Sequence, residues 1–100
     1  MCIAAPFSVK VQFLFGGNME TRVAVISIII EDYEKAEAVN QILHENGDFI
    51  IGRMGIPYRE KNINIISVAV DAPMNVINNI SGKIGKLSGV SAKTAYSNAK

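Results

Sequence analysis

The chain has 100 residues, the size of one small domain, and its 49% hydrophobic and 19% charged residues are typical of a folded protein rather than a disordered one. Ten lysines and arginines against nine aspartates and glutamates leave a net charge of +1, so no bulk field draws the chain to nucleic acid or to an acidic lipid surface. No stretch reaches the roughly 18 uninterrupted apolar residues of a membrane span. The single cysteine, Cys2, excludes an intramolecular disulfide framework and a multi-cysteine metal site. These exclusions favour a soluble, cytoplasmic domain.

Residues 1–18 have a different pattern from the rest of the chain. A proline and a lysine interrupt their apolar stretch and no basic residue precedes it, so the pattern of a secretory signal is not met. Val9–Phe15 alternates as a short edge strand would. We favour a third interpretation, in which natural translation begins at Met19, because Gly16-Gly17-Asn18 is what a purine-rich ribosome-binding site would encode if it were translated. Residues 1–18 are then a mobile leader and residues 19–100 a single domain.

The first half of that domain is predicted to contain a strand, a helix and a second strand. Thr21–Ile30 is rich in branched residues and is predicted to be strand one. Asp32 is a suitable N-cap for a helix over Tyr33–Asn46, in which apolar residues recur at helical spacing and which Gly47 is expected to end. Strand two is predicted over Phe49–Met54.

The second half repeats this order. A loop over Gly55–Lys61 is predicted to lead to strand three, Ile63–Val70. Asp71-Ala72-Pro73 supplies a capping acid and a proline at the first turn of a second helix, which runs to Leu87 and ends at Gly89.

A fourth strand, Val90–Tyr96, completes the order β-α-β-β-α-β. This order is that of the α+β ferredoxin-like sandwich, a four-stranded sheet with two helices on one face. Right-handed crossovers place strands one and three at the centre of the sheet and strands two and four at its edges.

Both faces of the two central strands are predicted to be aliphatic. The helices cover only one face, whereas a sheet with one solvated face normally alternates polar with apolar residues. An uncovered face of this kind exceeds the few hundred Å² that a monomer usually exposes, so we expect a second copy to cover it, in a homodimer or homotetramer, or sheets to join edge to edge. The alternative is that the N-terminal segment folds over it. The residues expected at the oligomer interface are Val23, Val25, Ile29, Ile63 and Ile65.

Residues for catalysis or metal binding are few. His44 has no second histidine or nearby cysteine to complete a metal site, and no serine lies in a nucleophile-elbow motif, so we predict neither an enzyme nor a cofactor. Gly82-Lys83-Ile84-Gly85-Lys86 lies inside the second predicted helix without Walker spacing, and its glycines are expected to let that helix approach the sheet or a neighbouring subunit. RNA binding on this fold uses aromatic residues on the central strands, which have none.

The segment Gly52–Arg59 is not explained by folding alone. It concentrates glycine, which permits close approach, and arginine, whose fork recognises carboxylate or phosphate. The candidate effector-binding residues are Gly52, Arg53, Gly55, Pro57 and Arg59. The alternative is a hairpin loop with solvated arginines.

Two runs of sequence, Ile42–Glu60 and Ser81–Thr94, resemble the signature of the iron-only hydrogenase system regulators. The resemblance covers about residues 20–97 and implies a small stand-alone domain similar to ACT domains and to the effector-binding half of the nickel-responsive repressor. It also implies a regulatory role beside the maturation machinery of iron-only hydrogenases, with a protein of that system as a partner.

The sequence departs from both relatives at their binding sites. Glu31-Asp32-Tyr33-Glu34 stands where ACT domains that bind amino acids have an Asp-x-Pro-Gly-like turn, and His44 alone does not make a nickel site. No DNA-reading helix or basic arm is present, which argues against direct operator binding.

Three functions follow from these observations. The first is an oligomeric regulatory domain that senses a small effector at a subunit interface and acts through a partner protein, with Arg53 and Arg59 binding the effector's acidic group. The second is a non-catalytic structural or protein-interaction subunit without a ligand, which binds by strand addition. The third is metal sensing through His44 across an oligomer axis.

Overall fold

The computed structural model describes residues 20–98 and the backbone of residues 2–3. The predicted leader and the possible strand Val9–Phe15 lie outside the described residues, apart from the backbone of residues 2–3, so the hypothesis of a start at Met19 stays a prediction.

The predicted order β-α-β-β-α-β is confirmed in the described residues. The strands are β1 (Cys2–Ile3), β2 (Arg22–Ile30), β3 (Ile50–Tyr58), β4 (Ile63–Ala72) and β5 (Val90–Tyr96). The α-helices are α1 (Ala36–Glu45), which follows a 3-10 turn at Tyr33–Lys35, and α2 (Met74–Gly85). Neither α-helix is long and apolar enough to cross a membrane.

The sheet has the strand order β1-β3-β4-β2-β5, and every neighbouring pair is antiparallel. The central position of β2 and β4, predicted from their long apolar runs, is confirmed. The two-residue β1 was not predicted; it pairs with β3 at Gly52 and Arg53 and adds a fifth strand beside the predicted four.

The core lies between the helices and one face of the sheet. Alternate residues of β2 and β4 are buried there, as their period-two pattern predicts. The helices contribute the apolar residues that recur at helical spacing. The fully buried large side chains are Ile26, Ile28, Ile30, Val39, Leu43, Val68, Val70, Ile77, Ile80 and Ile84.

The predicted loop over Gly55–Lys61 is wrong in its first half, because β3 continues to Tyr58 and pairs with β4 along this length. Pro57 has no backbone N–H to donate. An edge strand tolerates a proline where the backbone nitrogen faces away from the neighbouring strand. β1 reaches only Gly52 and Arg53, so in the described residues β3 is an edge strand at Pro57. The connection shortens to a 3-10 turn at Arg59–Lys61.

One predicted cap is wrong. Asp71 lies in β4 opposite Val23, because this strand continues to Ala72, and Pro73 precedes α2 without a side-chain capping bond. The first helix ends just before Gly47, as predicted: Asn46 is the C-cap of α1, and the side-chain Nδ2 of Asn46 donates to the carbonyl oxygen of Ile42 at 2.8 Å.

The predicted cap at the first helix is confirmed. Asp32 has extended backbone angles and its Oδ1 accepts from the backbone N–H of Glu34 at 3.1 Å. The predicted end of the second helix is wrong: α2 ends at Gly85, before Leu87, and Lys86 is its C-cap. Gly89, which was expected to end the helix, adopts a left-handed conformation with φ of 75° in the turn before β5.

The expectation that the α2 glycines let this helix approach the sheet is wrong. Gly82 and Gly85 are exposed, and a Cβ at either position would meet nothing within 4 Å. Their role at a neighbouring subunit stays a prediction.

The Gly82→Ala variant is therefore expected to be more stable by about 1 kcal/mol, because alanine in a helix interior avoids the entropic cost of glycine and gains no clash here. Urea unfolding at a fixed protein concentration measures the change. A loss of stability that grows with protein concentration would show instead that a neighbouring subunit needs the glycine.

Candidate functional site

The outer face is the face of the sheet opposite the helices. The strand register arranges its side chains in three parallel rows that cross β3, β4, β2 and β5. The isoleucine row is Ile56, Ile65, Ile29 and Ser91; the serine row is Met54, Ser67, Ser27 and Lys93; the small row is Gly52, Ala69, Val25 and Ala95.

The outer face collects all five residues predicted at an oligomer interface: Val23, Val25, Ile29, Ile63 and Ile65. In the single chain, Ile29 is 43% exposed and Ile65 is 42% exposed although both lie on central strands. A solvated face of a sheet normally carries polar side chains, but this face has polar side chains at only a few described positions, such as Ser27 and Ser67. The outer face is thus an exposed aliphatic surface of this chain.

The α1–β3 groove lies on the other side of the sheet, between the first helix and the strand that carries the candidate effector residues. Its volume is about 530 Å³. The lining residues are Glu37, Asn40, Gln41, Leu43, His44, Gly47, Ile50 and Arg53. Ile50 is the apolar side chain with some exposure to the groove, at 9%, whereas Leu43 is fully buried. The side chains of Glu37, Asn40, Gln41, His44 and Arg53 present polar atoms.

Arg53 is the cationic residue of this groove. It lies opposite the buried Val68 in the β3–β4 register, which places it on the helix side of the sheet, where it is half-buried. Its Nη2 donates to Oδ1 of Asn40 at 2.6 Å. The described part of the chain gives Arg53 no ion pair with a carboxylate. Among the described residues, Asn40 is the hydrogen-bond partner of this guanidinium, which leaves its other N–H groups for a ligand.

The structure does not bring the five candidate effector residues together. Gly52 belongs to the small row of the outer face, and Gly55 lies in the strand outside the groove. Pro57 and Arg59 line a second, smaller groove of about 240 Å³ beside Tyr33. On β3 this second groove begins at Pro57, four strand positions from Arg53 and roughly 13 Å away along the strand. Within one chain, the two arginines cannot hold the same acidic group.

The sequence analysis did not select the side of α1 that faces Arg53. Glu37, Asn40, Gln41 and His44 follow one another at the i, i+3, i+4, i+7 spacing of a single helix face, and all four are exposed. This polar stripe was the signal that could have identified the groove. Metal sensing through His44 across an oligomer axis stays a prediction; within the described residues of one chain, no three or more histidine, cysteine, aspartate or glutamate side chains form a group that could hold a metal.

The far edge of β5 is also open in the part of the chain that the structure describes. The N–H of Ser97 donates to the carbonyl oxygen of Val23 at 2.9 Å. Because alternate N–H groups of a strand point the same way, the N–H of Thr94 points away from β2 toward this edge.

Comparison with known proteins gives two matches. A family model, TM1266-like, described as "Iron-only hydrogenase system regulator, putative", matches residues 22–94. The solved structure of the uncharacterized protein TM1266 from Thermotoga maritima is similar to this chain with a TM-score of 0.73 and 40% sequence identity, over 77% of this chain and 98% of that one. Among curated proteins, none matches the chain.

Proposed function

The chain belongs to the TM1266-like family of iron-only hydrogenase system regulators, and on that premise we propose that it is a cytoplasmic, non-catalytic regulatory domain that assembles through its outer face and senses a small effector. It passes this signal to a protein of the hydrogenase maturation or regulatory system. The observation that carries the proposal is the exposed aliphatic outer face.

The outer face supports assembly because its composition is that of an interface rather than of a solvated surface. Ile29, Ile65 and Val25 stand on the two central strands, where nothing else in the described residues covers them. Contiguous apolar surface of this kind marks interaction sites in soluble proteins. Burial of each such side chain contributes about 1.5–3 kcal/mol at full burial.

The three rows also favour a second copy of the same chain as the occupant. In a two-fold interface, the same surface meets itself. Consider two copies whose outer faces are stacked, with a two-fold axis between the two sheets. If the axis is parallel to the rows and level with the serine row, it places the isoleucine row of one copy against the small row of the other. Large side chains then face small ones, as close packing requires. Lys93 stands at the β5 edge, from which its ammonium reaches water.

Effector sensing is supported by the position of β3. Arg53 points into the α1–β3 groove, while its neighbours Gly52 and Met54 belong to the outer face. A ligand that orders Arg53 and a second copy that covers the outer face thus act on the same strand. Such a shared element is what energetic coupling between two sites requires.

Static light scattering of the full chain over a range of concentrations tests the assembly. The expected mass is a multiple of the 10.8 kDa chain. A mass of one chain at every concentration up to the millimolar range would contradict the proposal.

The second function, a protein-interaction subunit without a ligand, is favoured by the open β5 edge. The outward N–H of Thr94 is of the kind that an added partner strand uses. A chain that works only in this way needs no second copy on its outer face, so the light-scattering mass separates the two functions.

A further inference from the structure

The α1–β3 groove has the size and lining of a small-molecule site. Ligand-binding clefts typically enclose about 300–1,000 Å³, combine an apolar surface with a few polar groups and are usually formed before the ligand arrives. This groove encloses about 530 Å³, and Ile50 is the apolar side chain that borders it with some exposure.

The polar groups of the groove include a set of hydrogen-bond donors. Arg53 uses one nitrogen, Nη2, to donate to Asn40 Oδ1. This bond holds the guanidinium against α1, and it turns the amide of Asn40 so that its own N–H groups are not used by Arg53. The amide of Gln41 and the imidazole of His44 line the same space. A guanidinium fixed at one end and flanked by amide donors is suited to a carboxylate, which it can bind through two parallel hydrogen bonds.

The charges of the groove limit the ligand to one negative charge. Arg53 contributes one positive charge and Glu37 one negative charge, and the two side chains form no ion pair. A dianion such as phosphate would bring a second negative charge to a groove in which Glu37 already balances the charge of Arg53. A monoanion can place its charge on Arg53 and keep the rest of the molecule away from Glu37, which is exposed to solvent.

The geometry points to the α1–β3 groove as a binding site for a small organic monocarboxylate, with its carboxylate on Arg53 and Asn40 and its apolar part against Ile50. This inference rests on the proposed function, because it names the class of effector that the regulatory domain senses. It assigns no effector contact to Arg59, which lines the other groove.

Binding is tested by NMR titration of the full chain with a series of aliphatic monocarboxylates from acetate to octanoate, and with benzoate. At least one of them is expected to give saturable shifts at the amides of Gly47, Ile50 and Arg53. Butanol and inorganic phosphate are the comparison probes, since the first lacks the charge and the second carries too much of it, and both are expected to bind at least tenfold more weakly.

Two matched variants test the role assigned to the guanidinium. Arg53→Lys keeps the charge but removes the fork, and it is expected to weaken carboxylate binding at least tenfold. Arg59→Lys is the same change in the other groove and is expected to alter binding less than twofold. Asn40→Leu, on an exposed helix position, provides a second loss-of-binding variant if Arg53→Lys does not fold.

A third variant reports on the ligand's charge. Glu37→Gln removes the negative charge of the groove and is expected to strengthen monocarboxylate binding about two- to threefold. Weaker binding in this variant would show that the ligand carries a cation toward Glu37 and would overturn the monocarboxylate assignment.

The inference is also overturned if no carboxylate saturates, or if Arg59→Lys weakens binding as much as Arg53→Lys does. These outcomes are distinct from failure of the proposed function. If the protein is an oligomer that binds no carboxylate, the proposed assembly is supported and the proposed binding site is contradicted. If it is a monomer that binds carboxylate through Arg53, the binding site is supported and the assembly is contradicted.

Discussion

Replacing Ile65 by glutamate is expected to convert the assembly of this chain into monomers. Ile65 stands in the middle of the isoleucine row, between Ile56 of β3 and Ile29 of β2. A second copy on the outer face would bury it from its present 42% exposure. A carboxylate at that point would be buried without a partner, which costs several kcal/mol.

The dissociation constant of the assembly is therefore expected to rise at least about 100-fold, which corresponds to about 2.8 kcal/mol. Sedimentation velocity over a concentration series measures it. In the monomer the substituted side chain is solvated, so the circular dichroism spectrum of Ile65→Glu should match that of the unaltered chain.

Met74→Glu is the matched control for this variant. Met74 is 39% exposed, close to the value for Ile65, but it is the first residue of α2 and lies away from the outer face. A negative charge at a helix start is also favourable there. The control is expected to keep the mass of the unaltered protein. Equal dissociation of both variants, or an unchanged mass for Ile65→Glu, would show that the outer face is not the contact.

The fold was largely predictable because long aliphatic runs mark its central strands. Residues 23–30 of β2 contain one polar residue, Ser27, so the sequence identifies a strand with two apolar faces, of which the structure buries residues 24, 26, 28 and 30. The aliphatic residues between them identified the outer face for the same reason. Where local signals compete with pairing, the prediction failed: Gly55 and Pro57 are typical of a loop, yet the pairing of β3 with β4 keeps them in a strand.

The candidate site was less predictable, because a single inserted residue decides which way Arg53 points. The β3–β4 register shifts between Ile50 and Gly52, so Ile51 is an extra residue in the ladder. Counting by twos from the buried Ile50 would place Gly52 on the helix side and Arg53 on the outer face. The bulge reverses this order and turns Arg53 toward Asn40 of α1. Sequence spacing does not contain that information. The joint assignment of Arg53 and Arg59 to one ligand fails for another reason: it depends on a loop over Gly55–Lys61, whereas β3 continues to Tyr58 and separates the two side chains.

The Gly89→Ala variant is expected to lose about 2–4 kcal/mol of the free energy of unfolding. A side chain in the left-handed conformation of Gly89 costs about 1–2 kcal/mol. The added Cβ would also lie 2.6 Å from Cβ of Asp32 and 3.3 Å from its backbone nitrogen, so the backbone must shift.

That shift would disturb the start of the first helix. The carbonyl oxygen of Gly89 accepts from the backbone N–H of Glu31 at 2.7 Å and of Asp32 at 3.2 Å, and Asp32 is the residue that caps the turn leading into α1. The turn before β5 and the entry to α1 are thus one hydrogen-bonded unit, and a change in one is transmitted to the other. A domain of this size is stable by only about 5–15 kcal/mol, so the loss is a large part of the total.

Urea unfolding at one fixed protein concentration measures the loss, since the stability of an assembling protein depends on concentration. Gly82→Ala is the control, because it makes the same substitution where φ is helical and no atom lies within 4 Å, and its expected effect has the opposite sign. A loss below about 0.5 kcal/mol for Gly89→Ala would mean that the turn relaxes at little cost. Since α1 carries one wall of the α1–β3 groove, the same variant is also expected to weaken carboxylate binding, whereas Gly82→Ala should leave it unchanged.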